Sequence, residues 1–388
     1  MKCAFFHDHR FFVKNGKIFS PGGLPKNAWD RYLHFFHEII VFGREAESQE
    51  EGVLSERENV SFHLFPENKY FNSILLRKKN IHNVINNILR SVDCVIIRLP
   101  SLVGYLVTKK CRKAKIPYAV EVVGCQWDSY WNYGNVPGKI LAPLLYLKMK
   151  KEVRKATHAI YVTKYFLQKR YPSHGYVANA SNVMFHELSD STLKKRIEKI
   201  NIPKSNLMIG LLAHYNVKYK GFDVIIKALS ILKNNGYLVN VKFAGSGTSH
   251  HIMKLAQAYD VEEQVECIGL LKGDEVMKFL DDIDIYVHPS KQEGLPRSVI
   301  EALSRACPVL ASSTGGIPEL LNDKYLHSPG DYKILACQLE QIIDGKYDLE
   351  SMAKSNFETA KEYSREILDN KRNVFWGNFY EYANSTLN

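Results

Sequence analysis

IDIYVHPSKQEGLPRSVIEALSRACPVLA, residues 283–311, reads as a strand, a loop, a helix and a second strand in immediate succession. The run 283–287 is apolar and β-prone, and Gly294 gives the following loop a residue that turns tightly. Pro296 suits the first turn of a helix, where its missing N–H has no helical partner to lose. Val299, Ala302, Leu303 and Ala306 then recur at i, i+3, i+4 and i+7, one core-facing helix side. A strand that returns through a helix to another strand builds a parallel sheet.

The same alternation extends in both directions. Strands are expected at 2–6, 38–42, 60–64, 93–98, 118–123, 158–162 and 175–178, then at 207–213, 239–244, 265–268, 283–287 and 308–311. Helices intervene near 26–36, 81–91, 101–114, 138–155, 221–234, 249–258, 274–280 and 296–306. The fold class is α/β, with two Rossmann-like doubly wound domains facing each other. The reading divides the chain into a domain 1–190, a polar linker 191–205, a domain 206–364, and a C-terminal helix 365–388. That helix carries an aromatic face (Phe375, Trp376, Phe379, Tyr380, Tyr382) that needs cover, and it is expected to pack back on the first domain.

In open parallel sheets ligands sit beyond the carboxyl ends of the strands, which singles out the loop holding Glu293. The amides of Leu295, Arg297 and Ser298, at a helix N-terminus just past Gly294, form a natural anion site. Glu301 falls on the outer helix face, four residues from both Arg297 and Arg305, and taken alone it reads as a surface ion pair.

The longer stretch SKQEGLPRSVIEALSRACPVLASSTGGIPELL, 290–321, resembles the signature of the retaining glycosyltransferases of family four, which have the two-domain GT-B fold. Two glutamates with seven residues between them, then Pro-Val and Gly-Gly-Ile-Pro-Glu, occur in the same order. The resemblance implies that Glu293 contacts the donor sugar, that Glu301 holds the ribose, and that the backbone of Gly294–Ser298 takes the phosphates. Gly315, Gly316 and Glu319 belong to the same signature. IGLLAHYNVKYKGFDVIIKAL, 209–229, matches a second family element, whose lysine (here Lys220) neutralises the donor diphosphate. The family's preceding arginine is replaced by His214 and Tyr215, which leaves Lys218 as the candidate second cation. Gly269 to Lys272 is placed at the base pocket by the same resemblance.

In the first half, SPGGLPKNAW follows the strand and HDH, and Gly22 and Gly23 fit the place where, by the same resemblance, a glycine loop approaches the donor phosphate. Arg98 and Glu121 are charged residues inside apolar strands, so each is either paired with the other or faces a ligand. With His7, His9, Trp127 and Asp128 they are the acceptor-side candidates. Asp282 and Asp284 have metal-binding spacing but precede their strand, at the wrong end of the sheet. His7, Asp8 and His9 lack a third ligand on one side of an extended chain. No metal and no cofactor are expected. The resemblance implies a nucleoside-diphosphate sugar as co-substrate, with UDP favoured over GDP.

The formal charge of +11 is unevenly distributed: residues 1–200 hold 32 Lys and Arg against 17 Asp and Glu, and residues 201–388 hold 20 against 24. The basic runs 109–115 and 148–155 suit an anionic membrane surface; they match no nucleic-acid-binding pattern. No run is long and apolar enough to span a bilayer, the N-terminus lacks a signal-peptide core, and seven dispersed cysteines suggest reduced thiols. The expected protein is cytoplasmic or peripheral on the inner membrane face. The resemblance implies that it moves a hexose-type sugar with retention, and the expected acceptor is a glycan or lipid-linked hydroxyl in surface polysaccharide assembly. The alternatives are a sugar-nucleotide epimerase or a phosphorylase of the same architecture, and a non-catalytic nucleotide-sugar binder.

Overall fold

A computed structural model describes residues 1–47, 52–70, 79–132, 136–183, 188–203 and 206–387. The chain forms two compact units. The first comprises Met1–Trp127, Ile140–Ala180 and Asp369–Asn388; the second comprises Asp128–Lys139 and Ser181–Leu368.

The first unit holds β1 (Lys2–Lys14), β2 (Lys17–Ser20), β3 (Glu38–Glu45), β4 (Val53–Leu54), β5 (Val60–Pro66), β6 (Cys94–Leu99), β7 (Tyr118–Val122), β8 (His158–Tyr161) and β9 (Tyr176–Asn179). Its parallel part runs β5-β3-β1-β6-β7-β8-β9, with every pairing parallel. Strands buried on both faces account for the near-continuous apolar runs, such as Cys94–Ile97. The amino-terminal strands differ from expectation. β1 does not stop at Phe6 but continues past a register shift, between Phe6 and Arg10, into an antiparallel hairpin with β2. The turn is Asn15-Gly16, both at positive φ (51° and 70°), the preferred chemistry of a two-residue hairpin.

The second unit holds β10 (Leu207–Leu212), β11 (Val239–Ala244), β12 (Val265–Gly269), β13 (Ile285–His288), β14 (Val309–Ser312) and β15 (Leu326–His327), in the all-parallel order β12-β11-β10-β13-β14-β15. Much of the stretch expected as a linker is instead the helix Asp190–Ile200. Its polar composition hides a 3–4 spacing: Leu193 and Ile200 pack on Ala306, Ala353 and Phe357. Buried Arg196 donates to the carbonyls of Leu280, Ile283 and Arg305, at the carboxyl ends of two helices. Residues 204–205 of that stretch lie outside the described residues.

The C-terminal helix Arg365–Leu387 lays its aromatic face on the first unit. Phe375, Trp376 and Phe379 are fully buried. Trp376 meets Tyr32 edge-on at 5.3 Å between ring centroids, Phe379 meets His158 at 5.2 Å, and Asn378 Oδ1 lies 3.0 Å from His158 Nε2. Trp376→Ala should therefore destabilise the protein by about 3–5 kcal/mol in urea unfolding. An unchanged midpoint would show that the aromatic face does not support the first unit.

Candidate active site

In the second sheet the strand order reverses between β10 and β13, so the chain leaves these neighbours in opposite directions and opens a crevice at their carboxyl ends. The segment after β10 supplies Lys220, at the end of the short 3-10 turn Lys218–Lys220, and the loop after β13 supplies Glu293. Backbone contacts tie the two together. Lys291 N donates to Tyr219 O at 2.8 Å, and the Ser290 hydroxyl donates to the same carbonyl at 3.2 Å. Gly221 (φ +84°) passes so close that a Cβ would lie 2.4 Å from Pro289 O. Gly315 (φ +61°) approaches the Glu293 carbonyl equally tightly, and Gly316 N donates to Gly294 O at 2.7 Å. These two glycines are needed for close approach as well as for turning.

Lys220 Nζ lies 2.6 Å from Glu293 Oε1, and His288 Nε2 lies 2.9 Å from the same oxygen. Tyr286 OH stands 3.3 Å from His288 Nδ1 and accepts from Leu212 N at 3.4 Å. These partners assign the proton of His288 to Nε2, so that Tyr286 donates to Nδ1 and the imidazole donates to Glu293. Burial by itself would raise the Glu293 pKa. The Lys220 ammonium and the hydrogen bond from His288 outweigh it and hold the carboxyl at about 2. Burial lowers His288 below its ordinary value, so the ring is neutral at pH 7. The result is a fixed carboxylate with one oxygen saturated.

His288 and Tyr286 were not among the residues picked out in the sequence. The available signal was a histidine ending an otherwise apolar strand, two residues from a tyrosine and therefore on the same sheet face. Around them, Leu295 is buried, Arg297 is exposed at the start of the helix Arg297–Ser304, and Ser298 hydrogen-bonds the Tyr286 hydroxyl. No side chain caps that helix N-terminus. The surface ion pair considered for Glu301 is not formed with Arg305, whose guanidinium instead grips Asp281 through two bonds of 2.7 and 2.8 Å. Burial raises the Glu301 pKa, and Arg297 only partly offsets it. Among the described residues Gln292 Oε1 and Thr314 Oγ1 are buried without a hydrogen-bond partner, which suits groups awaiting a polar ligand. Lys218 is exposed and makes no ion pair among the described residues. Tyr215 is committed to structure, donating to Phe243 O and accepting from Gly269 N. Burial raises the pKa of the Tyr363 phenol, and the nearby Glu319 carboxylate adds to it. Asp284 accepts from Met208 N at 2.9 Å and pairs with Lys199, a structural use at the amino end of the sheet.

Residues 193–359 match the family model described as Glycosyl transferases group 1. Over 379 residues the chain is 31% identical to Protein CapJ of Staphylococcus aureus, covering 96% of this chain and 91% of that one. The chain belongs to the group 1 glycosyl transferases. It is also 33% identical over 140 residues to the amylovoran biosynthesis glycosyltransferase AmsK of Erwinia amylovora, a match spanning about a third of each chain (34% and 34%). Sucrose-phosphate synthase from Thermosynechococcus elongatus shares the fold at a TM-score of 0.71 and 15% identity, over 98% of this chain and 100% of that one. Anabaena HepE, solved with UDP and glucose, shares it at 0.65 and 17%, over 96% and 98%. Two Rossmann-like parallel-sheet domains of GT-B type are thus the fold of this glycosyl transferase.

Except for Asp128, which belongs to the second unit, the residues expected on the acceptor side stand in the first unit of this glycosyl transferase, and together they fall into three groups. His7 and His9 stand at the end of the first half of β1, with ring centroids 6.1 Å apart. His9 Nε2 is 2.7 Å from Ser20 Oγ, and Gly23 lies against the His9 ring. His7 Nδ1 is buried without a partner. Burial, reinforced by Arg98, lowers the pKa of both, that of His9 to about 4. Asp8, between them, accepts from Leu102 N, Val103 N and the Ser101 hydroxyl, capping the helix Leu102–Ala114. Arg98 and Glu121 bond to each other at 2.8 Å, are nearly inaccessible, and share Tyr32, whose hydroxyl donates to Glu121 at 2.6 Å. Their charge is therefore spent within the sheet. Trp127 packs edge-on against Tyr146, and Asp128 O accepts from Asn132 N.

Two outcomes follow. Because the folded-state pKa of Glu293 is depressed, its contribution of about 3 kcal/mol is present above pH about 4.5 and lost as pH falls toward 2. Urea unfolding of Glu293→Gln should be weaker than wild type at pH 7 and converge with it near pH 2; parallel profiles would contradict this placement. Arg98→Met, which leaves Glu121 without its cation, should cost about 3–5 kcal/mol, and Arg98→Met with Glu121→Leu should recover most of it.

Proposed function

We propose that this glycosyl transferase moves a hexose-type sugar, with retention and without metal, from a UDP-sugar to a hydroxyl of a glycan or lipid-linked acceptor. GDP-sugars are the second donor class. The role fits assembly of a surface polysaccharide such as a capsule, O-antigen or exopolysaccharide, at the inner face of the membrane. The observation that carries the reading is Glu293, pinned by Lys220 and His288 at the switch point of the second sheet. The relative named for amylovoran biosynthesis and the fold neighbour solved with UDP and glucose support the acceptor and donor classes.

In this reading the bond between the anomeric carbon and the diphosphate oxygen breaks, and the diphosphate leaves with the electron pair. Lys220, already positioned, and the uncapped amides at Leu295–Ser298 stabilise the charge that develops on it. Gly294 lets the backbone approach, and Lys218 and Arg297 are assigned to the same phosphates; Gly23 is kept as a donor-side candidate of the first unit. The free oxygen of Glu293 orients the sugar hydroxyls. Glu301 accepts from the ribose, and Glu319 supports the donor loop. The acceptor oxygen bonds to the anomeric carbon and passes its proton to the departing phosphate. His7, His9, Trp127 and Asp128 are assigned to the acceptor; Arg98 and Glu121 reach it only by holding β6 and β7 in place.

Thermal shift with UDP-, GDP- and ADP-sugars tests the donor assignment: a UDP-sugar should stabilise the fold, and no response from any of them would defeat it. Lys220→Ala and Glu293→Gln should each lower kcat/KM by about 100-fold or more. The anomeric configuration of the product, read by NMR, should match that of the donor; inversion would overturn the stereochemical part.

A further inference from the structure

The helix Val136–Arg154 is amphipathic in an unusual sense. Its inner side is ordinary: Ala142, Met149 and Val153 are fully buried. Its outer side, within the first unit, is apolar where a solvent-facing helix should be polar. Ile140, Leu144 and Leu147 are 64%, 61% and 60% exposed, and their spacing of four and three places them in one row. The row continues through Lys151 to Arg154 and Lys155, all exposed. Beside its basic end lies a groove of about 880 Å³, lined by Arg112, Leu147, Lys150, Lys151, Arg154 and Lys155 among others and by no acidic side chain.

Charge decides what covers this face. The only acid between 136 and 155 is Glu152, which is buried and already bound by Arg112 at 2.5 Å and by Thr108. Arg154 spends one nitrogen on His174, and Lys151 and Lys155 form no ion pair among the described residues. A second copy of the same face would bring cations against cations with no carboxylate to answer them. An anionic bilayer answers both halves of the row, since branched apolar side chains reach the acyl boundary while lysine and arginine remain at the phosphates.

We propose that the outward face from Ile140 to Lys155 docks the protein on an anionic phospholipid bilayer, with Ile140, Leu144 and Leu147 inserted and Lys151, Arg154 and Lys155 on the lipid phosphates. The inference deepens the membrane-face part of the proposed function and rests on that reading for its purpose: it brings a lipid-linked acceptor to the enzyme.

Flotation of the full chain with vesicles tests it, comparing phosphatidylcholine alone with equal parts phosphatidylcholine and phosphatidylglycerol. Wild type should float with the anionic vesicles and be released by salt. Leu144→Gln with Leu147→Gln should weaken partitioning about tenfold or more. Lys151→Gln with Arg154→Gln should abolish the preference for phosphatidylglycerol. Both double variants should keep the wild-type thermal shift with donor nucleotide, which shows that they fold. Wild type that stays in solution, or variants that float as wild type does, would overturn the proposal. So would a lipid-free dimer, seen by sedimentation, that the leucine variants dissociate. If vesicles bind as expected but no nucleotide sugar is consumed, the transfer reading fails and the docking surface stands.

Discussion

Glu293 shares one carboxylate oxygen between Lys220 and His288, and most of the second unit is arranged around that contact. A carboxylate removed from water is expensive unless its charge is answered. The answer comes from Lys220 on the segment after β10 and from His288 at the end of β13, so the loop that carries Glu293 is not free to drift. The backbone bonds from Lys291 and Ser290 to Tyr219, and the close passages of Gly221 and Gly315, hold the loops at the separation the ion pair needs. Tyr286 extends the chain of hydrogen bonds back into the sheet, to the amide of Leu212 on the neighbouring strand. Position is thus passed from the rigid strands to the carboxylate through groups that are themselves buried and bonded.

The first unit repeats the principle with a different result. Asp8 leaves the same kind of place, the end of a central parallel strand next to a strand-order reversal, but spends its oxygens on the start of a helix. Arg98 and Glu121 neutralise each other beneath it, with Tyr32 as third partner. Charge here is structural, and the two histidines are what the strand end presents, held neutral by burial and by nearby cations. The β1–β2 hairpin brings Ser20 and Gly23 to His9.

Apolar periodicity was sufficient for nearly all the parallel strands and their helices, because strands buried on two faces leave unbroken apolar runs and helices between them leave a clear 3–4 spacing. Several elements escaped that logic, including β15 and the helix Tyr332–Ile343, and two of them show the physical reason. The β1–β2 hairpin lies where the run FFVKNGKIFS is only half buried, and its Asn-Gly signal stood in plain view. The helix Asp190–Ile200 is polar overall because it covers the core with few apolar side chains and a buried arginine that binds carbonyls.

By itself, then, the sequence determined the succession of strands and helices, the parallel sheets, and the loop in which Glu293 and its glycine neighbours must stand. All of these follow from local spacing along the chain. Only the tertiary structure decided which charges are used up and which remain. Arg98 met Glu121, Arg305 met Asp281 in place of Glu301, and Lys220, over seventy residues before Glu293, met that glutamate. Pairings of this kind depend on which strands lie side by side. Strand order is set by the packing of whole sheets, and the spacing of neighbouring residues does not encode it.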